Sequence, residues 1–296
     1  MPHPVLFDRR LLRARRARAA AAQPATFLVD RAADDLATRL SAILRTFRLA
    51  VDLGTPTDAV RRALADRIDT VIAVDRAVPP LATNTLAVVA DEEMLPFRDE
   101  SVDLVVSALA LQFVNDLPGT LVQIRRALKP DGLFLAVLVG GESLNELRTA
   151  FAEAEAEIEG GASPRVAPFA DLRDLGALLQ RAGFALPVTD VDRLTVRYAS
   201  PLGLMRDLRH MGAGNALVER RRSPLRRATL RRVLEIYGDR FADADGRVRA
   251  TFDLIWLLGW APHESQQKPL APGSARTRLA DALRVQELPA GEKAGR

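Results

Sequence analysis

The sequence contains no cysteine, which excludes a disulfide framework, a thiolate metal site and a cysteine nucleophile. Histidine is nearly as scarce, at His3, His210 and His263. A metal centre would have to join two of these to a carboxylate, and none is expected. No stretch approaches the roughly 20 apolar residues of a membrane span. The start is rich in arginine and alanine and lacks the apolar segment of a secretory signal. It reads as a basic arm of a cytoplasmic protein with at most peripheral contact to a membrane. Lysine is confined to Lys129, Lys268 and Lys293, so arginine carries nearly all the positive charge.

What is present is ordinary for a protein with a packed core: 48% hydrophobic and 27% charged residues over a length of 296. That length suits one large domain with a sizeable insertion. The net charge of +4 is unevenly spread. One cluster holds Arg9, Arg10, Arg13, Arg15, Arg16 and Arg18; another holds Arg220, Arg221, Arg222, Arg226, Arg227, Arg231 and Arg232. Such clusters either attract an acidic partner or form a solvated helix face. A protein partner is expected here, and DNA is not.

Residues 1–25 form the basic arm, closed by Pro24. Helical spacing runs through 27–47, and then short apolar runs alternate with helical segments. Strands are expected at 49–53, 70–74, 85–90, 102–107 and 132–139, with helices at 59–66 and 117–128 between them. Strands apolar on both faces and interleaved with helices indicate a mostly parallel sheet covered on both sides. A long acidic helix follows over 144–159, ended by Gly160-Gly161, then a helix over 171–182 and an alternating strand over 188–198. The pattern divides into a core at 26–198, a helical cap insertion at 199–247, a final strand and active-site edge at 248–266, and a flexible tail at 267–296.

The strongest local signal is Val51-Asp52-Leu53-Gly54, a strand running into a tight glycine turn and a helix. That unit forms the ligand crevice of an open α/β sheet. Asp75 closes the second strand, where a carboxylate accepts from ribose hydroxyls. Asp91 closes the third, in place to take the exocyclic amine of an adenine, and Glu92 follows it. A dinucleotide needs backbone N–H groups near its pyrophosphate. Here the loop is Gly54-Thr55-Pro56-Thr57-Asp58, in which Pro56 has no N–H and Asp58 repels a diphosphate. S-adenosylmethionine carries a sulfonium, an ammonium and no phosphate, and suits such a loop. Asp58 in turn faces the methionyl carboxylate, which Arg61 or Arg62, one turn into the helix, is in reach to offset.

Methyl transfer needs alignment more than a dense catalytic triad. Leu109, Gln112, Asn115 and Asp116 follow the fourth strand, at the reacting edge of such a sheet. Leu109 is a candidate cofactor contact, and Gln112 a candidate for orienting the substrate. Asn115 and Asp116 are candidates for capping the next helix. His263-Glu264-Ser265 follows the last strand and offers either a general base or a hydrogen-bonded turn.

Several runs resemble a known family. Ala90-Asp-Glu-Glu-Met-Leu-Pro-Phe97, Ser101-Val-Asp-Leu-Val-Val-Ser107, Leu109-Ala-Leu-Gln-Phe-Val-Asn-Asp-Leu117 and Leu128-Lys-Pro-Asp-Gly132 resemble class I methyltransferases of the malonyl-acyl-carrier-protein type. Phe7-Asp8-Arg9, Gly140 to Arg148, Asp174 to Phe184 and Gly259 to Gln266 resemble a narrower group, the complex I assembly factors described as arginine hydroxylases. The resemblance implies a seven-stranded Rossmann-like sheet with a helical insertion between the last two strands. It implies cofactor contacts at Asp52, Gly54, Asp75 and Asp91, and a complex I subunit as protein substrate. Pro56 and Asp58 depart from the glycine-rich loop of that family. This departure leaves a non-catalytic scaffold as an alternative, beside methylation of malonyl-acyl-carrier protein.

Overall fold

The computed structural model describes residues 5–76, 86–267, 274 and 277–286. Thr85, where the third strand was expected to start, His3 and most of the expected tail at 267–296 lie outside them. The chain forms two units, Met1–Pro262 and His263–Arg296.

Seven strands form one sheet in the first unit: β1 Leu49–Leu53, β2 Thr70–Asp75, β3 Leu86–Val89, β4 Val102–Ala108, β5 Leu128–Gly140, β6 Ala185–Tyr198 and β7 Val248–Trp260. Their order is β3-β2-β1-β4-β5-β7-β6. The first five run parallel, with Leu49 opposite Thr70 and Val51 opposite Val105. Only β7 runs antiparallel, to β5 on one side and β6 on the other. The expected doubly wound, seven-stranded sheet is therefore present.

Alternation along the central strands sends side chains to two cores. Ala50, Leu104, Val106, Leu135, Val137 and Trp256 pack beneath α2 Phe27–Ser41, α3 Ala59–Leu64, α5 Asn145–Glu159 and α8 Arg227–Phe241. Val51, Leu53, Val105, Phe134, Ala136 and Ile255 pack beneath α4 Leu117–Ala127 and α6 Leu172–Arg181. Both faces of β1, β4 and β5 are dry, which is why these strands read as continuous apolar runs.

Local chemistry sets the helix ends. Asp116 accepts from Gly119 N at 2.9 Å and caps α4, while Pro118 opens it. Asp171 accepts from Asp174 N at 2.8 Å and caps α6. Gly160, at φ +74°, ends α5.

Two segments differ from the sequence reading. The helix expected over 27–47 stops at Ser41. Residues 1–25 contain a second helix, α1 Arg9–Ala21, whose Leu12 and Ala19 are buried. Asp8 starts α1 by accepting from Leu11 N at 3.0 Å. Between β6 and β7 lie α7 Pro201–His210 and α8, and α8 packs on α5. The second arginine cluster is largely spent on ion pairs: Arg220 to Asp8, Arg221 and Arg226 to Glu159, and Arg232 to Glu157 and Glu235.

Candidate active site

The site opens where β1 ends. Gly54 turns the chain at φ +71°, a left-handed conformation that favours glycine, and its N–H donates to Val74 O at 2.7 Å. A Cβ on Gly54 would lie 2.9 Å from both Ala110 Cβ and Glu92 Oε1. The turn is tied to β4 from both sides: Ser107 Oγ donates to Leu53 O at 2.7 Å, and Ala108 N donates to Thr55 Oγ1 at 3.1 Å.

Four acids gather at this edge. Asp52 is buried and receives Arg61 Nη1 at 2.6 Å; its second oxygen has no hydrogen-bond partner among the described residues. Burial pushes its carboxyl up to about 6 against the pull of Thr55 and Arg61. Asp75 ends β2. Asp91 receives Arg9 Nη2 at 2.9 Å on one oxygen and Arg76 Nε at 3.1 Å on the other. Glu92 is 3% exposed and pairs with Arg9 Nη2. Arg62 pairs with Asp58, so both arginines proposed to offset Asp58 are in contact with acids, Arg61 with a different one.

Of these guanidiniums Arg9 comes from α1, which also brings Arg16. Arg9 also donates to Phe113 O at 2.9 Å. Arg16 lies over the Phe113 ring at 5.5 Å and donates to Gly54 O at 3.4 Å. Burial pushes the Arg16 guanidinium down, and the charges of Asp75 and Glu92 hold it up.

Next to the crevice is a cavity of about 550 Å³. Its walls are mostly apolar, with Leu144, Phe169, Met205, Met211 and Phe252 among them, and Arg16 borders it. Leu109 and Gln112 line it as well. Leu109 sits at φ +54° with its N–H on Val137 O at 2.8 Å. Gln112 donates to Leu109 O at 2.9 Å, and its Oε1 is buried without a partner among the described residues. An unpaired buried acceptor beside an apolar cavity is what a donor on a substrate would satisfy.

The structure thus brings Asp52, Gly54, Asp91 and Glu92 into one crevice and places Leu109 and Gln112 on the adjoining cavity. Asn115 clamps the chain before α1: its Oδ1 accepts from Leu6 N at 2.9 Å and Phe7 N at 2.7 Å, and its Nδ2 donates to Phe7 O at 3.2 Å. His263 and Glu264 belong to the second unit, where both are exposed and His263 Nδ1 lies 2.7 Å from Ser265 Oγ. Arg9, Arg16 and Phe113 were not singled out as site residues. Arg9 and Phe113 fall in runs that carry the family resemblance, and the spacing of Arg9, Leu12, Arg16 and Ala19 puts the two arginines on one face of a helix.

The crevice suits a nucleoside by the chemistry of its side chains. It offers carboxylate acceptors at adjacent strand ends, one with an orphaned oxygen among the described residues, and a turn over 54–58 with no basic residue for a phosphate.

A methyltransferase domain model matches residues 51–136. The mitochondrial arginine-hydroxylase NDUFAF5 of Danio rerio is 38% identical over 269 residues, which cover 88% of this chain and 84% of that protein. The malonyl-[acyl-carrier protein] O-methyltransferase of Halorhodospira halophila is 36% identical over 255 residues, covering 82% of this chain and 84% of that one. Among solved structures, the YcgJ protein of Bacillus subtilis shares the fold, with a TM-score of 0.52 at 15% identity, over 77% of this chain and 99% of that one.

Proposed function

The chain belongs to the methyltransferase family that includes the NDUFAF5 arginine-hydroxylases, and from that premise we propose that it is an S-adenosylmethionine-dependent enzyme acting on a protein side chain during assembly of respiratory complex I. The observation that carries this reading is the row of acids around Gly54, at the ends of adjacent strands.

In this reading Asp75 accepts from the ribose hydroxyls and Asp91 from the exocyclic amine. Asp52 supports the turn from beneath. Bound there, the cofactor supplies an electrophilic methyl group on a sulfonium. The chain's residues align the acceptor: the apolar cavity walls seat the stem of a side chain and exclude water, and Gln112 Oε1 receives a donor from its head. Alignment of this kind supplies much of the rate in a transfer that needs little acid–base help. The core at 26–198 holds the cofactor, and the segment at 199–247 caps the substrate side. Among the described residues no helix is long and apolar enough to cross a membrane. We place the protein in the cytoplasm, with a protein and not DNA as its partner.

Isothermal titration with S-adenosylhomocysteine tests the cofactor. Binding weakened at least tenfold by Asp75→Ala is expected, and absence of binding at millimolar ligand refutes it. Deleting the gene and fragmenting peptides of complex I subunits in a mass spectrometer identifies the modified residue. A second reading, methylation of malonyl-acyl-carrier protein, is favoured by the Halorhodospira relative. Rescue of a biotin auxotroph lacking that enzyme decides for it.

A further inference from the structure

The acids of the crevice do not face an open space. Asp52, Asp75, Asp91 and Glu92 stand among four guanidiniums, those of Arg9, Arg16, Arg61 and Arg76. Charge is balanced within this group, with Glu93 at the rim, 3.9 Å from Arg9. Arg61 comes from α3 and Arg76 follows β2, so both belong to the sheet's own framework. The other two are delivered by α1.

That helix is built for delivery rather than for core formation. Six of its thirteen residues are arginine. Arg9 and Arg16 are seven apart and project from the same face as Leu12 and Ala19, the only buried apolar side chains it has. Its start is fixed by the Asn115 clamp and by Phe7, which lies edge-on to Phe113 at 5.7 Å and bridges to Leu217. Near its end Gly212 lets the backbones close: a Cβ there would lie 2.9 Å from Arg16 Cα. The helix is therefore held at its start and packed at Arg16 against the turn after α7, with Arg9 and Arg16 reaching the crevice.

The groups it delivers are those a cationic nucleoside would bring. Arg9 gives N–H donors to Asp91 and Glu92, where an exocyclic amine would donate. Arg16 gives a donor and a positive charge at Gly54 O, beside Asp75 and Glu92. The two contacts differ in strength. Those of Arg9 are charge-assisted, whereas the Arg16 bond to Gly54 O goes to a neutral carbonyl and is long at 3.4 Å, so that contact is the easier one to displace.

We propose that α1 is an internal plug, whose Arg9 and Arg16 occupy the seats of the cationic nucleoside cofactor and must be withdrawn from the carboxylates before it binds. This rests on the cofactor reading given above. With both guanidiniums withdrawn, the four acids retain two cations, a net charge of −2 that favours a sulfonium nucleoside.

The test compares the full chain with Arg9→Ala/Arg16→Ala and, as a milder variant that keeps the stem, Arg16→Met. Affinity for S-adenosylhomocysteine is measured by titration, and amide hydrogen exchange is followed along α1 with β4 as internal reference. The plug predicts at least tenfold tighter binding by the double variant and a smaller gain for Arg16→Met. It also predicts at least tenfold faster exchange in α1 with β4 unchanged, and loss of α1 protection in the native chain when ligand is added. Equal or weaker binding by the variants overturns it, because the arginines then help to hold the ligand. Binding by none of the chains refutes the cofactor reading, and competition with it. In that event faster exchange in the variants still establishes that the two arginines lock the helix, and unchanged exchange overturns the lock as well.

Discussion

The buried pair of Asp52 and Arg61 yields a prediction whose size follows from the burial of the acid. Loss of water raises the Asp52 carboxyl from 3.8 to about 6, while the Thr55 hydroxyl and the Arg61 guanidinium oppose the rise. The native protein therefore binds this proton more tightly than the unfolded chain does. Its contribution to stability is full below 3.8 and is lost as pH rises through about 6. At pH 7 the ionised acid costs about 3 kcal/mol, at ~1.4 kcal/mol per pH unit. Arg61→Met keeps the bulk of the stem but removes the charge and the hydrogen bond, so the carboxyl rises further and is protonated at pH 7. Protonation sets a ceiling, since holding Asp52 neutral at pH 7 costs about 4 kcal/mol relative to the unfolded chain. The variant is thus expected to lose about 1–2 kcal/mol at pH 7 through Asp52, less than the ~3–5 kcal/mol of a buried pair broken with its charge retained. At pH 5 both proteins hold the acid protonated and this difference closes. Urea unfolding at pH 5 and pH 7 measures it. An equal loss at both pH values, or one above about 4 kcal/mol at pH 7, refutes the reasoning.

Gly54→Ala should cost about 2–4 kcal/mol, from a left-handed residue with a side chain and from overpacking against Ala110 and Glu92; a melting temperature unchanged within a degree contradicts this. Asp253 is buried and receives Arg193 Nε at 2.7 Å and Glu142 N at 2.9 Å, and Arg193 holds its carboxyl below the usual range. Its contribution is present above the unfolded value of 3.8 and is lost as pH falls below it. Asp253→Asn should therefore destabilise by about 1–3 kcal/mol at pH 7 and by progressively less as pH falls below 3.8, as read from unfolding curves across that range. Asn115→Ala removes the clamp on Leu6 and Phe7 and should speed exchange of the Phe7 amide at least tenfold. Unchanged exchange there would mean that the Phe7–Leu217 bridge holds the segment alone.

The centre of the sheet was legible because β1, β4 and β5 are dry on both faces. Val51-Asp52-Leu53-Gly54 and the runs in β4 and β5 announce themselves without partners, and Asp75 and Asp91 follow from where β2 and β3 stop. Helix α1 was not legible as part of the site. Its apolar side chains are too few to set a period, so arginines that are buried read like arginines facing water. What buries them is an acid 82 residues away, as for Arg9 and Asp91, and a distance of that kind leaves no mark on local pattern. The early stop of α2 at Ser41 has a related cause. Leu44 keeps the helical spacing but is fully exposed, so its hydrophobicity reported no burial. The orphaned Oε1 of Gln112 is likewise invisible in sequence, because it depends on which groups are absent around it.

The place of β7 between β5 and β6 has a consequence for how the chain is made. Strand β6 pairs with β7 alone, and β7 is the last strand to be synthesised. At ~5–20 residues per second, the stretch between Tyr198 and Val248 keeps β6 without a partner for several seconds after it emerges. During that interval both its edges are open, and an unpaired strand is a template for the wrong neighbour. Leu186, Val188 and Val191, exposed even in the finished sheet, make the hazard real. Asp190, Asp192, Arg193 and Arg197 interrupt the same strand with charge and keep it soluble until its partner arrives.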